Sequence, residues 1–170
     1  MHLYAFILAD IAADTLSRAY GRDPESIQSV VDVVPPAGCA CGGPGLPDMR
    51  SAIEFESAAN DRELTGGLLF GGLANDRTLF ALAKSHGLTE DQARPNADDL
   101  VAEFLNIVIG LAAAEWAVKG LEINFNPPVK ASELSGKIPG KLFRIVLTDG
   151  PDECLALLLR FNLPADLSAS

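Results

Sequence analysis

Apolar residues recur at helical spacing over residues 3–20: Leu3, Phe6, Ile7, Ile11, Leu16 and Tyr20. Gly21 follows, where a helix can close in a left-handed turn, so the pattern predicts a first helix over 3–20. Residues 27–34, IQSVVDVV, are rich in β-branched residues and predict a strand. Residues 35–48 hold four prolines and four glycines and predict a loop. Two extended stretches follow, 51–59 and 64–71, joined through NDRE as a hairpin. Asn75 or Asp76 can cap a helix over 77–86, which Gly87 ends. Residues 88–95 read as a short polar connection, after which Pro95 and Asn96 open a long helix over 97–119 with Gly120 as its stop. Three strands, 121–126, 141–148 and 153–161, complete the pattern, with PPVKASELSGKIPG as a loop between the first two. The tail after Pro164 is expected to fray.

A helix followed by three strands thus occurs twice, at 3–71 and 97–161, with the helix at 77–86 between. Identity between the halves is too weak to establish duplication. The order lacks the βαβ alternation of a doubly wound fold. It predicts an α+β class: a mostly antiparallel sheet with long helices packed on one face. A single domain over residues 1–164, with a loop insertion at 35–50 and a tail at 165–170, follows.

Composition narrows the function. Apolar residues make up 48% of the 170 and charged ones 21%, which suits a folded domain. With 23 acids against 13 bases the net charge is −10 and no basic patch stands out, which argues against nucleic acid and anionic membrane as partners. The longest apolar run, Phe104 to Trp116, is broken by Asn106 and Glu115 and is too short to span a bilayer. The N-terminus, MHLYAFILADIAADTL, has no basic leader, and Asp10 and Asp14 interrupt it. It reads as a mature amphipathic helix, so a cytoplasmic location is expected. Cys39 and Cys41 lack two further ligands, since His2 and His86 are the only histidines, so no metal site is expected and a zinc- or thiol-dependent protein is the weakest reading. Cys154, in an apolar run, is expected in the core.

The long helix carries the most informative feature. In DDLVAEFLNIVIGLAAAEW, residues 98–116, a polar stripe interrupts an apolar cylinder. With residues about 100° apart and Asp99 at zero, Glu103 falls near 40°, Asn106 near −20° and Gly110 near 20°. Ala113 and Ala114 flank Gly110. One half of the stripe offers a carboxylate and a carboxamide a turn apart. The other half has almost no side-chain bulk, and a mid-helix glycine that costs up to about 1 kcal/mol calls for a reason. A partner's close approach and close helix packing both supply one, and the whole stripe is also compatible with a plain solvated face.

Asp99-x-x-x-Glu103-x-x-Asn106, followed by Pro127 and Pro128, resembles the signature of the CheC/CheX/FliY phosphatases of bacterial chemotaxis. LTGGLLFGGLANDRTLFALAKSHGL at 64–88 resembles the strand–turn–helix that precedes the motif in CheX-like domains, and element order resembles theirs over about 3–161. In the first helix, Ser17 and Arg18 stand where a second copy would continue, so a single motif, as in CheX-like members, is implied. The resemblance implies hydrolysis of the aspartyl phosphate on a CheY-like response-regulator receiver domain. Asn106 would then position the attacking water, Glu103 would dock the receiver lysine, and Asp99 would support the edge of the interface. We add that Gly110, Ala113 and Ala114 leave room for the receiver surface. Mg²⁺ would come with the receiver and no cofactor with this chain, and a homodimer paired through its sheets is implied. A non-catalytic binding or scaffold domain of the same fold is the alternative.

Overall fold

The computed structural model describes residues 2–34, 51–58, 64–130 and 140–162. The loop expected at 35–48 with Cys39 and Cys41, the NDRE turn, much of the 127–140 connection and the tail after Pro164 lie outside the described residues. The elements in order are α1 (His2–Ala19), β1 (Gln28–Val34), β2 (Ala52–Ser57), β3 (Thr65–Leu73), α2 (Asp76–Ser85), α3 (Glu90–Ala93), α4 (Ala97–Val118), β4 (Ile123–Phe125), β5 (Lys141–Asp149) and β6 (Asp152–Asn162).

Local chemistry sets most of these boundaries. Gly21 (φ +66°) and Gly120 (φ +85°) take the left-handed turns that end α1 and α4. The Asn75 side chain accepts a hydrogen bond from the Thr78 backbone N–H at 3.2 Å and caps α2. The connection at 88–95 departs from expectation, because it contains the single-turn helix α3. Thr89 and Gln92 form a capping box there, and the Thr89 N–H donates to Gln92 Oε1 at 2.9 Å.

All strand pairs are antiparallel, in the order β1-β5-β6-β3-β2-β4. This order has a symmetry that composition hid. Exchanging β1 with β4, β2 with β5 and β3 with β6 reproduces it in reverse, so the two helix–three-strand units are related by a pseudo-twofold axis between β3 and β6. The two long helices obey the same relation: Tyr4, at the start of α1, meets Trp116 and Lys119 at the end of α4.

The core lies between the helices and one face of the sheet. Alternate residues of β5 (Phe143, Ile145, Leu147) and β6 (Leu155, Leu157, Leu159, Phe161) join it, as a period of two requires. By length and composition α4 could cross a membrane. In this fold it instead turns Phe104, Leu105, Val108, Ile109, Ala112 and Trp116 into that core. Trp116 is fully buried against the rings of Tyr4, Phe55 and Phe161, with centroids 6.0, 5.7 and 6.2 Å away. Its indole N–H donates to the Tyr4 carbonyl at 3.1 Å. Cys154 is buried, in line with expectation.

A polar clasp holds the end of α1 to α2 and the β5–β6 turn. Asp149 receives Arg22 at 2.7 Å and Arg77 at 3.2 Å. Both guanidinium groups also stand 5.4 Å from the Tyr20 ring centre. The Tyr20 and Thr78 hydroxyls share a 2.9 Å hydrogen bond, and burial raises the Tyr20 pKa. The hydrogen bond from Arg22 holds the Asp149 carboxyl below its ordinary value. A carboxylate with a depressed folded-state pKa stabilises the fold fully above the unfolded value, near pH ~4, and that share is lost as pH falls through the lower folded value. Asp149→Asn should therefore flatten the acid limb of stability against pH while leaving the neutral region less stable, a result that urea titrations at several pH values read out.

Candidate functional site

On α4 the stripe faces outward, opposite the buried set. Asp99 and Glu103 are exposed; Asn106, Gly110 and Ala113 are half-buried; Ala114 is exposed. Among the described residues, the side chains of Asp99, Glu103 and Asn106 form no hydrogen bond or ion pair with the rest of the chain. A carboxylate and a carboxamide, one turn apart on a rigid helix, are thus free to engage an outside group.

Close helix packing does not account for Gly110. A Cβ built there meets only the Phe125 ring, at 3.9 Å, an ordinary van der Waals distance. Phe125, on edge strand β4 and 37% exposed, forms one bank of the stripe. Alternation within 121–126 places it on the helix side but carries no sign of this neighbour, so sequence reasoning misses it.

The opposite bank is a groove of about 520 Å³ where α1, α2 and α4 meet. Phe104 and Ile107 floor it and Leu111, 52% exposed, forms part of its wall. Three helices from distant parts of the sequence build this groove, which no local pattern reveals.

On α1 the place of a second motif copy is occupied differently. Ser17 is buried, donates to the Ala13 carbonyl at 2.9 Å and accepts from the Ile27 N–H at 3.1 Å. It works as a splice between α1 and the approach to β1, and among the described residues α4 alone presents the polar pair. Among the described residues no cluster of three or more His, Cys, Asp or Glu could hold a metal ion. His86 is the exposed C-cap of α2.

No family model matches the chain, and no curated protein does. Solved structures do. A CheC-like superfamily protein from Shewanella sp. PV-4 superposes with a TM-score of 0.60 at 13% identity, over 94% of this chain and 97% of that one. The chemotaxis protein CheX from Vibrio vulnificus gives 0.60 at 11%, over 94% and 99%. The CheX–CheY–BeF₃–Mg²⁺ complex from Borrelia burgdorferi gives 0.53 at 16%, over 94% and 97%.

Proposed function

Because the chain has the fold of CheC- and CheX-like chemotaxis proteins, we propose that it is a phosphatase for the aspartyl phosphate of a CheY-like receiver domain. The observation that carries this reading is the open stripe: Glu103 and Asn106 stand a turn apart, unsealed, on the long helix of this fold.

The chemistry asks little of the phosphatase. An acyl phosphate in a receiver pocket comes with Mg²⁺ and a lysine, so most charge stabilisation belongs to the substrate. The remaining need is a water in line behind phosphorus. The Asn106 carbonyl oxygen accepts a hydrogen bond from that water, while its NH₂ donates to a phosphoryl oxygen, with no charge brought in. Water adds to phosphorus, the bond to the aspartyl oxygen breaks, and inorganic phosphate and a free carboxylate result. Glu103 accepts from the receiver lysine and fixes the docking register. Asp99, a turn before Glu103, extends the polar edge.

Gly110, Ala113 and Ala114 admit the receiver surface close to the helix. Gly110→Ala separates this role from a packing role. The new methyl has room beside Phe125, so the helix should gain up to about 1 kcal/mol. Receiver affinity should fall, because the methyl stands in the docking surface. Higher Tm with weaker binding is the expected pair of results. Unchanged binding removes the small-residue assignment.

The resemblance further implies a cytoplasmic homodimer paired through its sheets, and edge strand β1 carries exposed Val30 and Val33. A second reading, a non-catalytic binding domain, draws on one observation. Neither Glu103 nor Asn106 is fixed by a hydrogen bond from a described residue, whereas catalytic groups are usually held by such partners. Incubation with phosphorylated receivers encoded by the same organism decides between them: faster phosphoryl loss selects the phosphatase, and binding without faster loss selects the binding domain.

A further inference from the structure

We infer that Phe125 is a docking residue for the proposed reaction, the apolar anchor on which the receiver surface seats beside Asn106. This inference rests on the receiver as partner, but not on catalysis.

Its place in the fold carries the inference. Phe125 stands opposite Phe55 across the strand pair, so both point to the helix side of the sheet. Phe55 is buried against Trp116, whereas Phe125, on the edge strand, is 37% exposed. The tip of its ring lies 3.9 Å from where a Cβ on Gly110 would stand. Gly110 follows Asn106 by four residues, or about 6 Å along the axis of α4. A partner that covers Asn106 and passes over Gly110 therefore meets this ring.

The backbone holds the ring in place. The Asn126 N–H donates to the Glu54 carbonyl at 3.0 Å. Three residues on, Ala52 and Val129 exchange two hydrogen bonds, at 2.8 and 2.9 Å. Between the Phe55–Phe125 pair and the Ala52–Val129 pair stand Ile53 and Glu54 on one strand but Asn126, Pro127 and Pro128 on the other. The two prolines thus sit in a one-residue bulge. Their rings fix φ and offer no N–H to the open edge. Binding has little backbone left to order at this corner.

The surroundings are uncharged. Asn124 and Asn126 flank Phe125 in sequence, and Gly110, Ala113 and Ala117 continue the stripe along α4. Ala117 falls near 0° on the wheel that sets Asp99 at zero. Glu54 and Glu56, the acids of β2, alternate to the other face of the sheet. An aromatic ring among uncharged neighbours stands out on a chain with 23 acids. With Asp99 and Glu103 at the far end of the same stripe, this is the makeup of an interface core beside a charged margin. The occupant is the receiver because the ring and the polar pair belong to one footprint, and the polar pair is the part that meets the phosphoryl site.

The test reads binding alone. Receivers of the same organism, loaded with beryllium fluoride and Mg²⁺, are titrated with the native chain, Phe125→Thr and Phe125→Leu. Threonine keeps the preference for a strand and removes the ring, while leucine keeps an apolar body. Circular dichroism checks that both variants fold. Phe125→Thr should bind the best native partner at least about fivefold more weakly, and Phe125→Leu within about threefold of native. In the native chain, hydroxyl-radical labelling of the Phe125 ring should fall when that receiver is bound. A smaller loss in Phe125→Thr, an equal loss in both variants, or labelling that the receiver leaves unchanged overturns the inference. The labelling decides the matter by itself where Phe125→Thr does not fold. A native chain that binds no receiver overturns this inference and the proposed function together. A receiver that binds tightly but is not dephosphorylated faster removes the phosphatase reading and leaves the anchor standing.

Discussion

Asn106→Ala should leave a folded chain that binds its receiver but no longer speeds loss of the phosphoryl group. The expected fall in accelerated rate is at least about a hundredfold, or ~2.7 kcal/mol in the barrier, since the residue's whole task is to hold one water in line. Removing it cannot be compensated by Glu103, whose carboxylate only accepts hydrogen bonds and would face the phosphoryl group with like charge. Stability should change by less than about 0.5 kcal/mol, because Asn106 is half-buried and its side chain is bonded to no described residue. Alanine is also the better helix former. Single-turnover decay of the phosphorylated receiver, with circular dichroism and a binding titration alongside, measures all three. A rate within threefold or so of native would remove Asn106 from the reaction.

The largest effect on stability should come from Trp116→Ala. The indole is fully buried, contacts three rings and satisfies the Tyr4 carbonyl. Its loss opens a cavity where α1, α4 and the strands β2 and β6 meet. Such truncations cost about 3–5 kcal/mol, a large part of the ~5–15 kcal/mol by which a domain is stable. The lost hydrogen bond of the indole N–H adds to that cost. Urea unfolding should show a lower midpoint, and Tm should drop by about 10 °C or more. A loss under about 1 kcal/mol would mean that the contact between α1 and α4 does not hold the two halves together.

Trp116 also shows what sequence can and cannot tell. Its apolar neighbours predict burial, but its partners lie in α1, β2 and β6, far along the chain, and no spacing names them. Helix ends were legible because Gly21, Asn75, Gly87 and Gly120 act on their immediate neighbours. α3 was not, since four residues carry no period, although Thr89 and Gln92 spell its cap. The repeat of a helix and three strands was legible from the order of elements, but the twofold relation of the strands within the sheet was not, because pairing between distant strands leaves no local pattern. The stripe on α4 was legible in full as a pattern, and the fold leaves it open. Its two banks were not: Phe125 and the α1–α2–α4 groove arise only when distant segments meet. The clasp of Arg22, Arg77 and Asp149 is invisible for the same reason.

Catalysed loss of a phosphoryl group from a partner is the role proposed for this open stripe. It is tested most directly by following the phosphoryl half-life of receivers from the same organism, with Mg²⁺ present, alone and with substoichiometric native chain. At least one receiver should lose its phosphoryl group many times faster when the chain is added, with each copy of the chain turning over repeatedly. A half-life that stays at its spontaneous value for every receiver, at concentrations where binding is complete, would contradict it.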